Sequence, residues 1–166
     1  MLDFLIVRLI GWVVVAPIST LWHELGHAIV ALRFLDGPIR VELGAEPRPW
    51  VVPLGRLQLT LRLGSGFIGF CRWPSVPRSH RGAVLTMAGG PQATLLLFGL
   101  VIAAGQPELD EISFGRYLVT AFFWATLLGL IGTVIPMIDP RWWGGYAGHA
   151  SDGLQVLRLL RRWRRP

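Results

Sequence analysis

Apolar residues along this chain gather into three long blocks, at about residues 4–35, 83–104 and 117–137. Each is long enough to cross roughly 30 Å of hydrocarbon, which takes about 20 helical residues, so the pattern predicts three transmembrane helices. The first block exceeds what one crossing needs, and tilt, projection from the membrane or a bend near Pro17 would absorb the excess. It has no basic leader and runs past any plausible cleavage point, which argues against a removable signal segment. Between the first two blocks the period changes. Ile39-Arg40-Val41-Glu42-Leu43 and Leu57-Gln58-Leu59-Thr60-Leu61-Arg62-Leu63 alternate apolar and polar residues, as half-buried strands do. Gly37-Pro38, Pro47, Pro49, Pro53 and Gly55 read as turns between them. A small β hairpin or sheet over about residues 37–73 is therefore expected at the membrane surface. After the third block, Trp142 and Trp143 stand where an interfacial aromatic belt would. Leu154-Gln155-Val156-Leu157-Arg158-Leu159-Leu160-Arg161-Arg162 is too short to span and has the pattern of a basic amphipathic helix lying on an anionic leaflet. The expected fold is mainly α: one membrane-embedded domain over residues 1–166, with three transmembrane helices, a small sheet between the first two, and a C-terminal amphipathic helix.

Composition agrees. Of 166 residues, 52% are apolar and only 16% charged, against about a quarter charged in soluble domains. This argues against a soluble enzyme, a disordered chain or a repeat array. The single cysteine, Cys71, removes any internal disulfide and any multi-cysteine zinc site, and is read as packing. The net charge of +6 comes from arginine alone, with no lysine, a codon-usage trait of GC-rich bacterial genomes that suggests a bacterial plasma membrane. No basic segment is interleaved with stacking groups as a nucleic-acid binder would need. The arginines instead alternate with the crossings. Arg40, Arg48, Arg56, Arg62, Arg72, Arg78 and Arg81 lie between blocks one and two, and Arg141, Arg158, Arg161, Arg162, Arg164 and Arg165 follow block three. The loop between blocks two and three carries the acidic Pro107-Glu108-Leu109-Asp110-Glu111, and Arg8 and Arg116 are the exceptions. The positive-inside rule then puts the N-terminus outside and the first linker and C-terminus in the cytoplasm.

Within the first block stands His23-Glu24-Leu25-Gly26-His27. At about 100° per residue, His23 and His27 share one helix face, and two imidazoles one turn apart can bind the same Zn²⁺. Glu24 flanks them in the place of a general base. Ala16, Thr20 and Val30 share the face and would leave room for a water or a substrate backbone. Ionisable groups deep in an apolar helix carry a penalty of a few kcal/mol unless a partner or metal offsets it. A catalytic zinc takes three protein ligands plus water, so one is missing. Asp139, His149 and Asp152 are candidates, with His80 more remote, and spacing does not choose among them. Asp152 has a competing role as a helix N-cap with Ser151.

Three separated motifs resemble the site-2-protease-like intramembrane zinc metallopeptidases. His23-Glu24-Leu25-Gly26-His27 matches the first. Ala88-Gly89-Gly90-Pro91-Gln92-Ala93-Thr94 is similar to that family's A-G-P-x-A-N, and Thr133-Val134-Ile135-Pro136 followed by Ser151-Asp152-Gly153 is similar to its N-L-x-P…D-G. The resemblance covers most of the chain. It implies one zinc ion held by His23, His27 and Asp152, Glu24 as catalytic base, and Gly90, Pro91, Thr94 and Thr133 as substrate-binding residues. Thr94 and Thr133 replace the family's asparagines, giving up an amide's paired donor and acceptor. Independently of the family, Gly89-Gly90-Pro91 would interrupt helical hydrogen bonding, a feature tolerated in membranes where backbone lines a wet cavity.

The function implied is hydrolysis of a peptide bond in or near a transmembrane segment of a membrane protein, toward the cytoplasmic side. The alternative is a weakly active or non-proteolytic zinc-binding scaffold or regulator of the same fold. An inverted repeat, as transporters carry, is absent from the sequence. The expected partners are a membrane-protein substrate and an anionic leaflet, with an exposed strand edge in the first linker as a place to hold an unwound substrate by strand addition.

Overall fold

A computed structural model describes residues 9, 11–62, 65–75, 77–105 and 114–163. Residues 4–8 of the first block, Leu63, the acidic loop at 107–111, Arg164 and Arg165 lie outside the described residues.

A π-helical turn, Gly11–Val15, leads into helix α1, Ala16–Phe34. Pro17 sits at the junction of the π-helical turn and α1, inside a continuous helical run, and its missing N–H coincides with the change from π to α hydrogen bonding. The helix stops where Leu35 turns extended and Gly37 adopts a φ of 83°. Helix α2, His80–Ala103, starts at Ser79, whose hydroxyl accepts the Gly82 N–H at 3.0 Å. It continues through Pro91 without a break in its course, though Pro91 donates no helical hydrogen bond and the Gly90 N–H reaches His27 Nδ1 at 3.3 Å. Helix α3, Phe114–Val134, ends short of the predicted residue 137, because Pro136 biases the residue before it away from helix. Helix α4 runs over Asp152–Trp163. Among the described residues, three segments are long and apolar enough to cross a membrane: Val13–Phe34, His80–Ala103 and Phe114–Val134. Of the residues in α3 only Thr126 is buried, while Trp124, Leu128 and Ile131 lie exposed, a surface that suits lipid rather than water.

The linker forms four strands, β1 Ile39–Leu43, β2 Trp50–Leu54, β3 Leu57–Leu61 and β4 Gly69–Arg72, in the order β2-β3-β1-β4. β2 and β3 form an antiparallel hairpin around Gly55, at a φ of 63°. β1 lies parallel to β3, with Ile39 opposite Leu57, and antiparallel to β4. Both predicted alternating segments are strands, but they are parallel neighbours rather than a hairpin. β2 was hidden by Pro53, read as a turn; on an edge strand proline costs no ladder hydrogen bond on its solvent side. β1 turns Ile39, Val41 and Leu43 inward, Ile39 and Val41 against Ala28, Ala31 and Leu35, with Leu57, Leu59, Cys71 and Trp73 packed around that cluster. The sheet therefore closes over the C-terminal end of α1, and the buried core lies between them.

α1 and α2 cross backbone to backbone. A methyl group on Gly26 would run into the Gly89 carbonyl, and one on Gly89 would reach the Gly26 carbonyl at 2.5 Å. This crossing brings Thr86, Gly90 and Thr94 of α2 against the histidines of α1.

Candidate metal centre

His23 and His27 stand one turn apart, about 16 and 10 Å from the C-terminal end of α1 at 1.5 Å per residue. Their Nε2 atoms are 3.2 Å apart. Asp152, from the first turn of α4, places its Oδ2 3.1 Å from His23 Nε2 and 3.3 Å from His27 Nε2. Among the described residues this is the one group of His, Cys, Asp or Glu side chains found close enough to hold an ion. The near-equilateral triangle fits zinc: tetrahedral bonds of about 2.0–2.1 Å separate ligand atoms by about 3.3 Å.

The far side of each ring fixes its protonation. His27 Nδ1 lies 2.7 Å from the Thr86 carbonyl oxygen, which can only accept, and 3.3 Å from the Gly90 N–H; the shorter contact favours Nδ1 as the donor to Thr86. His23 Nδ1 lies 2.8 Å from Thr94 Oγ1, and that hydroxyl gives its own proton to the Gly90 carbonyl at 3.2 Å. With its proton on the Gly90 carbonyl, the hydroxyl accepts from His23 Nδ1. Each Nε2 then faces the Asp152 carboxylate. Three such polar atoms within 3.3 Å of one another are held together by a metal cation or by a proton shared between imidazole and carboxylate. Thr94→Val keeps the shape but leaves His23 Nδ1 without its partner. It is expected to weaken zinc affinity about 10–100-fold, measured by competition with a chelating indicator.

Asp152 is free to join because the cap belongs to Ser151. The Ser151 hydroxyl accepts from Leu154 N at 3.2 Å and Met137 N at 3.1 Å, and donates to the Ile135 carbonyl at 2.7 Å. That one side chain ties the start of α4 to the end of α3. Gly153 completes the joint, since a methyl there would collide with the Val134 carbonyl.

The other candidate ligands lie outside the group. Asp139 is buried with Oδ1 unpartnered, and burial raises its carboxyl pKa. His149 is exposed, its Nδ1 3.1 Å from the Tyr146 carbonyl and its ring against Phe70. His80 is not a freely solvated residue: its ring packs on Trp163 at 5.2 Å and its Nε2 is buried. Cys71 is half-buried against the core, and burial pushes its thiol pKa up.

Glu24 is 7% exposed, beside His23, with the Cys71 backbone N–H on its carboxylate. β4 presses against it: a methyl on Gly69 would fall 2.8 Å from Glu24 Cγ and 2.5 Å from Thr20 Cγ2. Thr20 packs beside Gly69 and Val30 beside Gly89, and both, like Ala16, remain half-buried. Gly90 lies directly against both imidazole Nε2 atoms, with Pro91 half-buried next to it. The Thr133 hydroxyl turns back onto its own helix, donating to the Gly129 carbonyl at 2.9 Å.

Tyr146 is a site neighbour that the pattern of residues did not reveal. Its hydroxyl accepts the Gly69 N–H at 2.6 Å and donates to the Phe67 carbonyl at 3.3 Å, pinning β4 beside Glu24. Burial and then the Glu24 charge push its phenol pKa up. No family model matches the chain, and no curated protein matches it.

Proposed function

We propose that this protein is a zinc-dependent intramembrane endopeptidase that cuts a peptide bond in or near a transmembrane segment of another membrane protein. The observation that carries this reading is the convergence of His23 Nε2, His27 Nε2 and Asp152 Oδ2 beside a buried Glu24, within a helix apolar enough to cross a membrane. His23, His27 and Asp152 would hold one zinc ion, which would supply Lewis acidity toward a carbonyl and a water. Glu24 would be the general base that accepts a proton from water and returns it to the leaving nitrogen. The Cys71 N–H and the pressure of β4 hold its carboxylate in place for this. Thr94 and the Thr86 carbonyl hold the two imidazoles in the tautomer that binds metal.

The sheet, the start of α2 and the basic helix α4 lie on the cytoplasmic side in this reading, supported by the arginine distribution. α1 then enters from outside, and cleavage falls in the cytoplasmic half of the bilayer. A helical substrate must unwind to expose a peptide bond. Strand addition is the natural way to hold it, and the sheet has two edges for this. β2 is fully exposed but two strands removed from β1, and β4 is at the site with its Gly69 N–H bonded to Tyr146. Gly90 and Pro91 line the approach to the histidines and are the residues assigned to substrate backbone, with Thr94 and Thr133.

One observation favours the second reading, a zinc-binding scaffold that does not cut. The hydroxyls of Thr94 and Thr133 are both engaged within the chain, which leaves them little to offer a substrate. Comparing membrane proteomes of cells making the wild-type protein or His23→Ala separates the two. A single-pass protein truncated only in the presence of the wild type is expected. Identical proteomes alongside a zinc-loaded wild type would establish the scaffold.

A further inference from the structure

A cavity of about 270 Å³ opens between α2 and α4, nearer the start of α2 than Gly90 and Thr94, which touch the histidines. Its walls are chemically divided. Trp73, Ala83, Met87 and Leu159 make the apolar part, and Arg158 and Arg162 bring two guanidinium groups to the mouth. The arginines are one turn apart on α4, exposed, and unmatched by an acidic side chain among the described residues. Like charges at this spacing repel, so the pair is held at a cost that a shared anion would offset. In the same seam, one turn before Ala83, the buried Nε2 of His80 has no hydrogen-bond partner.

Ala83 and Met87 lie about 4 and 10 Å along α2 from its first residue, the start of a membrane-length apolar segment. The apolar wall therefore sits in the first turns of that segment, where headgroups give way to acyl chains, and the exposed Arg158 and Arg162 of α4 line the same cavity. Planar guanidinium forks match phosphate oxygens, whereas water or a free anion would leave the apolar wall unfilled.

We propose that this cavity is a binding site for one anionic phospholipid, its phosphate bridging Arg158 and Arg162 and its glycerol and upper acyl chain lying on Met87, Leu159 and Trp73. This rests on the membrane placement in the reading above and not on peptide hydrolysis. It differs from a diffuse attraction of a basic helix to a charged leaflet in being saturable and stoichiometric. It also bears on the metal centre. α4 begins with Asp152, and a lipid that clamps α4 to α2 holds that carboxylate against His23 and His27.

Native mass spectrometry of the protein released from nanodiscs of phosphatidylglycerol and phosphatidylcholine tests this. One retained phosphatidylglycerol per chain is expected, preferred at least tenfold over phosphatidylcholine. Arg158→Gln with Arg162→Gln should lose that preference, Arg158→Lys with Arg162→Lys should keep part of it, and Arg161→Gln, which does not line the cavity, should keep all of it. Millimolar inorganic phosphate should leave the lipid in place. Equal retention of the two lipids, equal loss in Arg161→Gln, or displacement by inorganic phosphate would each overturn the site. Zinc content measured on the same samples reports separately on the metal centre, so a metal-free protein that keeps its lipid would remove the peptidase and leave this site standing.

Discussion

Gly90→Ala is expected to abolish zinc binding and, with it, all cleavage. The added methyl would occupy the space of His27 Nε2 and His23 Nε2, the two atoms that face the metal position. Neither ring can step back. His27 is tied through Nδ1 to the Thr86 carbonyl and His23 through Nδ1 to Thr94, both on the helix that carries the new methyl. The clash is therefore relieved by rotating an imidazole out of the triangle, which removes a ligand. Removing one partner that merely orients a ligand costs about 10–100-fold in affinity, so displacing a ligand should exceed that range. Zinc content of the purified variant measures it, with circular dichroism showing the helices intact. Gly99→Ala, where a methyl meets nothing within 4 Å on the same helix, should bind zinc normally.

Glu24→Gln should separate binding from chemistry. Glutamine is nearly isosteric, so it still fits between His23 and β4, and zinc should remain at one ion per chain. What is lost is the carboxylate that accepts a proton. A positioned general base contributes about 10²–10⁴-fold, and turnover of a cleaved membrane substrate should fall by that factor. Single-turnover assays with the purified variant measure the drop. Full activity in Glu24→Gln would move the base elsewhere, and loss of zinc would make Glu24 part of the ion's coordination.

The fold and the site were legible to different depths. The apolar blocks announced three membrane-length helices because length and hydropathy survive in sequence without tertiary information. His23 and His27 could be paired because both lie on one helix, where spacing is geometry. Asp152 is a different case. It comes from another helix 129 positions away, and what frees it for the cluster is that Ser151 takes the capping role, a division no spacing encodes. Pro53 misled because proline marks a missing donor, and it sits at a sheet edge, where that donor was dispensable. The parallel pairing of β1 with β3 follows from the β2–β3 hairpin folding back beside β1, which depends on partners rather than on either strand's own pattern. The Thr86 carbonyl was invisible because backbone atoms leave no residue signature, and Tyr146 because a lone tyrosine in a glycine-rich loop signals no partner.

The central claim is one zinc ion gripped by two imidazoles of α1 and the first carboxylate of α4. X-ray absorption at the zinc edge of purified, zinc-reconstituted protein tests it most directly. The account predicts one zinc per chain, a shell of nitrogen and oxygen at about 2.0–2.1 Å with two imidazole signatures, and no sulfur. Protein that stays metal-free, or a zinc with a single imidazole or with sulfur at about 2.3 Å, would contradict it.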